Sequence, residues 1–147
     1  MNTDFTTFLT RGIDTIISEL QQYPNEAAVW KLDGEIKNTA GNLALHLTGS
    51  LNHFIGAVMA GNGYVRNREA EFSETNVSRD KIIAGLVNTK EMIQNFISGQ
   101  TPEFYTAIFP LPTFGDNRTN HYVLLQMVAH LNYHLGQINY HRRLIGV

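Results

Sequence analysis

The sequence predicts an all-α protein: a four-helix bundle with a long crossover between its second and third helices and a small irregular or hairpin segment before the last. Three observations predict it. Apolar residues recur at three- and four-residue spacing in four stretches, near 4–22, 39–60, 79–98 and 120–145. The links between them are polar or punctuated by Pro and Gly. The chain has 147 residues with 43% apolar and 16% charged side chains, enough for one domain with a sizeable core and too apolar for a disordered chain.

The first helix follows from Phe5, Phe8, Leu9, Ile13, Ile16, Ile17 and Leu20, with Thr3 as its cap and Pro24 at its end. An irregular link, 23–37, carries Trp30, expected to plug the core near one end of the bundle. The second helix starts at Asn38 or Thr39 and carries Leu43, Leu47, Leu51, Phe54 and Val58 on its apolar face. Gly41, Gly49 and Gly56 fall near one face of it. Each costs about 1 kcal/mol against alanine, so a close approach by another helix is expected there.

The polar stretch 61–77 could span about 55 Å when extended, against about 33 Å for the second helix. It can cross the whole bundle and let the third helix run parallel to the second. Its Arg66, Arg68, Glu69 and Glu71 read as ion pairs that tether the loop, with Tyr64 and Phe72 as anchors. The third helix has Ser78 as cap and Gly99 at its end, with Ile82, Ile83, Leu86, Met92, Ile93 and Phe96 facing inward. Pro102, Pro110 and Pro112 argue against helix over 100–119, and Phe104–Phe109 favours extended chain. Gly115-Asp-Asn marks a turn. Thr119 or Asn120 then caps the last helix.

Composition excludes several classes. Net charge is −2 without a basic run, so binding to nucleic acid through phosphate neutralisation is not expected. No cysteine is present, which removes disulfides, thiolate zinc sites and a cysteine nucleophile. No apolar leader and no 18-residue apolar run occur, so a cytoplasmic protein without a membrane span is expected.

The last helix holds the chemistry. His130, His134, Gln137 and His141 form one stripe, flanked by apolar Val123, Met127, Leu131, Ile138 and Ile145. Imidazoles at i and i+4 lie about 6 Å apart and can reach one metal ion; the competing reading is two core histidines satisfied by hydrogen bonds. A third ligand has to come from elsewhere. The second helix offers His46 or His53, and His46, which borders the apolar stripe, is the better candidate. His121 lies too far along the helix. Three neutral imidazoles leave coordination positions open, as in catalytic sites. Zinc is the default, and nickel, cobalt or ferrous iron also fit.

These residues carry a resemblance. The Trp30 region, Asn42-Leu-Ala-Leu-His46-Leu, Gly63-Tyr-Val-Arg66-Asn-Arg68 with Glu71-Phe72, and His130-x3-His134-x-Gly136-Gln137-Ile138 resemble the DinB/YfiT-like superfamily of four-helix-bundle metalloproteins over nearly the whole chain. The resemblance implies a His46, His130, His134 triad holding a divalent metal, nickel or zinc. It also implies thiol-dependent transfer or isomerisation with low-molecular-weight thiols. Ser50, one turn after His46, stands where some relatives carry an acidic or amide residue.

The expected function is transfer of an external thiol, its pKa lowered by the metal, to an electrophilic small molecule. Gln137 and Tyr133 are candidates to touch a ligand or substrate, Asn42 to orient a histidine, and Arg66 and Arg68 to hold a carboxylate of the thiol. The competing readings are a metal-dependent hydrolase and a non-catalytic, metal- or ligand-binding homodimer. With the second and last helices opposed, residue 53 falls opposite about residue 125. His53 and His141 then cannot join one site, and His141 is expected to serve the C-terminal helix dipole.

Overall fold

The computed structural model describes residues 1–145. Four long helices share one core: α1 (Asn2–Gln21), α3 (Ala40–Leu51, continued by a π-helix over Asn52–Met59), α5 (Arg79–Ser98) and α7 (Asn120–Leu144). Three short helices sit in the links: α2 (Glu26–Val29), α4 (Arg68–Ser73) and α6 (Pro102–Thr106). Among the described residues there is no strand beyond an isolated antiparallel bridge, Ile108 to Thr119, and no helix long and apolar enough to cross a membrane.

The expected apolar faces supply the core. Leu9, Ile13, Ile16 and Leu20 of α1 are fully buried, as are Leu47, Leu51, Leu86, Ile93, Ile97, Leu131 and Ile138 from the other long helices. Burial of a Leu or Ile side chain contributes about 1.5–3 kcal/mol, so these faces set how the helices meet. Phe8 departs from expectation. It is 47% exposed, with the Arg11 guanidinium carbon 5.2 Å above its ring.

Side-chain pairs give the directions. Thr48 packs at Gly85, and Asn52 Nδ2 donates to Thr89 Oγ1 at 2.7 Å. The numbers rise together, so α3 and α5 run parallel, as the length of the 61–77 crossover predicts. Lys90 pairs with Asp14, and Asn2 Nδ2 donates to the Gln100 carbonyl, so α1 and α5 are antiparallel. Phe5 meets His121, Leu131 fills the space over Gly12, and Asn139 Nδ2 donates to Glu19. Helices α1 and α7 are therefore parallel, and α7 runs antiparallel to α3.

Several local expectations need correction. Met1, without a side-chain cap, precedes α1 in place of Thr3. Thr39, Ser78 and Thr119 cap α3, α5 and α7, each accepting from a backbone N–H three residues on. Gly99 ends α5 with φ −91°, not in the left-handed region. Pro102 starts α6 instead of forbidding helix, because its missing N–H falls where the first turn has no acceptor. Extended chain is confined to the residues around Ile108, where Phe109 N donates to the Arg118 carbonyl at 2.8 Å. The three glycines of the second long helix admit side chains from the links instead of another long helix: the Trp30 indole at Gly41, the Glu71 carboxylate at Gly49 and the Asn62 amide at Gly56.

His141 also differs from expectation. It is 4% exposed, and its Nε2 lies 2.8 Å from the Lys31 carbonyl, which can only accept, so the proton sits on Nε2. Nδ1 then accepts from the Tyr23 hydroxyl at 2.7 Å. Burial pushes the His141 pKa down, with the Lys31 carbonyl acting the other way. The ring is a neutral strut between α7 and the links on either side of α2, not a cation for the helix dipole. Tyr23→Phe removes its donor and leaves a buried acceptor unpaired. The expected loss at neutral pH is about 1–3 kcal/mol, measured by chemical denaturation, with metal titration of the protein unchanged.

Candidate metal centre

His46 reaches the core from α3, and His130 and His134 lie one turn apart on α7. Because α3 and α7 are antiparallel neighbours, the three rings meet. His46 Nε2 lies 3.0 Å from His130 Nε2, and His134 Nε2 lies 3.1 Å from the same atom. Ring centroids are 4.6 to 5.1 Å apart and nearly perpendicular. One ligand atom from each lies within 4.8 Å of the other two.

The outer nitrogens decide what the inner ones present. His46 Nδ1 is 2.9 Å from Glu71 Oε1, and a carboxylate oxygen accepts, so Nδ1 carries the proton. Arg66 Nη2 is also 3.3 Å from that Nδ1. Its contacts with Glu71 are shorter, and the carboxylate sets the tautomer. His134 Nδ1 lies 2.6 Å from Gln137 Oε1, which fixes its proton in the same way. Both Nε2 atoms therefore aim a lone pair at His130 Nε2. One N–H on His130 satisfies one of them and leaves the other facing a second nitrogen. A cation among the three satisfies all, and three imidazole nitrogens suit zinc, nickel, cobalt or ferrous iron. The donor set fits a divalent metal.

Electrostatics keep the imidazoles neutral, which a metal ligand requires. Burial pushes the His130 pKa down to about 4, helped by His134 and His46. It also lowers His46 against the opposing pull of Glu71, and His134 against that of Gln137.

The family model for the DinB superfamily matches residues 9–138. The chain belongs to the DinB superfamily. No curated protein and no solved structure matches it.

In this DinB-superfamily chain the remaining candidates are placed as follows. Gln137 holds His134. Asn42 does not orient a histidine. Its Nδ2 donates to the Glu71 and Glu74 carbonyls at 3.1 and 2.9 Å, clamping α4 against α3. Tyr133 is 65% exposed, with its ring 5.1 Å from that of His134, and it does not line the cavity beside the cluster. Ser50 does line it, as do Arg66 and Arg68. That cavity has a volume of about 460 Å³. It is completed by His53, Phe54, Thr113, Phe114, Gln126 and Met127, with His46 and His130 in its wall. His53 and Gln126 line the same cavity. His53 and His141 are outside the cluster, and His121 packs on Phe5.

Sequence reasoning missed the role of Glu71. It was legible as a partner for an arginine, and Arg66 does bind it with two 2.8 Å bonds. Its contact with His46 was not legible. The available signal was Gly49, three residues after His46 and seemingly costly in a helix. A Cβ there would overlap the Glu71 carboxylate.

Predictions of two kinds arise here, and the first kind concerns metal binding. Ala at His46, His130 or His134 should each abolish tight metal binding in a titration, whereas Ala at His53, His121 or His141 should leave one ion per chain. Gly49→Ala, which touches no ligand, should weaken binding about 10–100-fold by displacing Glu71; unchanged affinity would show the carboxylate to be idle. The second concerns pH. The histidines titrate near 6.5 when unperturbed, and His130 titrates near 4 when folded. The unfolded chain takes up protons first, so the metal-free protein should be most stable above pH 6.5 and lose stability between 6.5 and about 4. Denaturant midpoints across that range measure it.

Proposed function

We propose that this protein is a divalent-metal enzyme, using nickel or zinc, that transfers a low-molecular-weight thiol to an electrophilic small molecule. The observation that carries this reading is the meeting of two oriented Nε2 lone pairs with a third imidazole in the wall of a cavity of about 460 Å³. His46, His130 and His134 would hold the ion. When bound, it would supply the positive charge that makes thiolate available at neutral pH.

The chain's own residues support this assignment. With no cysteine, it has no nucleophilic sulfur of its own, so a thiol has to enter from outside. Phe54, Phe114 and Met127 give the cavity an apolar wall. Ser50 and Gln126 offer neutral hydrogen-bonding groups. Glu71, the carboxylate beside the cluster, is engaged by Arg66 and His46. It is not free to act as a base on water, which favours thiol transfer over hydrolysis.

Metal-loaded protein, a panel of small thiols and a chloronitrobenzene acceptor provide the test. In the reaction a sulfur–carbon bond forms, chloride leaves and the thiol proton is released. Thioether formation that requires both metal and protein, and that His130→Ala abolishes, is the expected result. Tight metal binding without thiol-dependent turnover would overturn the enzymatic reading.

A further inference from the structure

A thiol that becomes a nucleophile has to lose its proton, and the histidine cluster itself offers no place for it. His46, His130 and His134 would commit their lone pairs to the ion, and the Glu71 carboxylate is held by Arg66 and His46. The two arginines of the cavity wall are always protonated. That leaves His53, the one remaining side chain lining this cavity that can take up a proton near neutral pH. It is half-buried, with its ring 4.8 Å from that of Phe54, and neither ring nitrogen forms a hydrogen bond or ion pair among the described residues. Its charged surroundings are Arg66 and Arg68 from the crossover and Glu71 from α4; α7 brings His130 to the same cavity, and the Thr113-Phe114 stretch brings no titratable group. Burial pushes the His53 pKa down, Arg66 adds to this and Glu71 opposes it, so the ring keeps a free lone pair at neutral pH.

We propose that His53 takes the proton of the entering thiol by way of the Ser50 hydroxyl. The assignment rests on the thiol-transfer reading above. His46, Ser50 and His53 follow one another at four- and three-residue spacing on one helix face, and all three line the cavity. Ser50 thus stands about 6 Å along the axis from His46 and about 4.5 Å from His53. It is 2% exposed, and its hydroxyl has no hydrogen-bond partner among the described residues, so it is free to accept from one side and donate to the other. The S–H bond breaks with its electron pair left on sulfur. The proton passes to the Ser50 oxygen while the hydroxyl proton passes to a ring nitrogen of His53, which releases it to water. An ordinary thiol ionises at about pH 8.5 and water at about 15.7, so a relay to a weak base two turns from His46 suits the thiol.

The test uses the full chain loaded with cobalt(II), whose visible absorption changes when a thiolate binds, followed by rapid mixing at neutral pH with no electrophile present. Two probes are compared: 2-mercaptoethanol, which is protonated at that pH, and pentafluorothiophenol, which is already ionised. His53→Gln should slow the appearance of the new absorption about 100-fold with 2-mercaptoethanol. It should leave the rate with pentafluorothiophenol, and the final absorbance at saturation with either thiol, where they were. Ser50→Ala should be slowed with the same selectivity; a rate equal to that of wild type would take the hydroxyl out of the route. His53→Asn provides the measurement if the glutamine variant does not fold. Equal slowing with both thiols, which a structural role would give, or slowing with neither, would overturn the assignment of His53. A wild-type spectrum that neither thiol disturbs would instead overturn the thiol reading itself, and this inference with it.

Discussion

Burying the Glu71 carboxylate beside His46 strips a charge of water, and such a group is costly unless it is fully partnered. Arg66 supplies two charge-assisted bonds, His46 supplies a third, and Asn42 ties down the Glu71 backbone. The missing side chain of Gly49 gives the carboxylate room. The rest of the site depends on this arrangement. It fixes which nitrogen of His46 is bare, and it anchors the crossover that brings Arg68 to the cavity and Phe72 against the His46 ring.

Helix direction follows the same logic on a larger scale. The crossover has to return across the molecule for α5 to run parallel to α3. On the way it lays α4 over the face of α3 that carries His46. A tight hairpin at that point would have left the histidine exposed and without its carboxylate. Topology and ligand orientation are thus two results of one long connection. The neutral strut made by His141 and Tyr23 lies two turns beyond His134 along α7. The fold therefore uses imidazole in two ways, as a lone-pair donor in one layer and as a hydrogen-bonded core element in the other.

Much of this was legible in the sequence because periodicity reports burial directly. The apolar faces of α1, α3, α5 and α7 and the cap at Ser78 follow from spacing, which also narrowed the other two caps to adjacent pairs that include Thr39 and Thr119; spacing paired His130 with His134 and favoured His46 over His53, and the family resemblance completed the triad. What was not legible depended on contacts between residues far apart in the chain. Nothing local to Glu71 marks it as the neighbour of His46, and nothing local to His141 marks Tyr23 and the Lys31 carbonyl as its partners. Short helices such as α2, α4 and α6 were missed because a single turn leaves too few residues to show a period. The expectation for Asn42 failed because an amide beside a histidine suggests a direct bond, whereas its hydrogen bonds are spent on the backbone of α4 and on Thr39.

The widening of α3 into a π-helix at Asn52 separates two tasks that share one rod. His46 and Ser50 belong to the regular part, whereas His53 and Phe54 lie in the widened part and face the cavity. π segments are rare and often occur at functional sites. Loss of one residue from this segment would turn everything beyond it by about 100° about the helix axis, with His46 left in place. The wall of the cavity can thus be recut by a single insertion or deletion without disturbing the imidazoles. In a lineage that keeps its histidines while changing what it accepts, that makes residues 52–59 a natural place for divergence to accumulate.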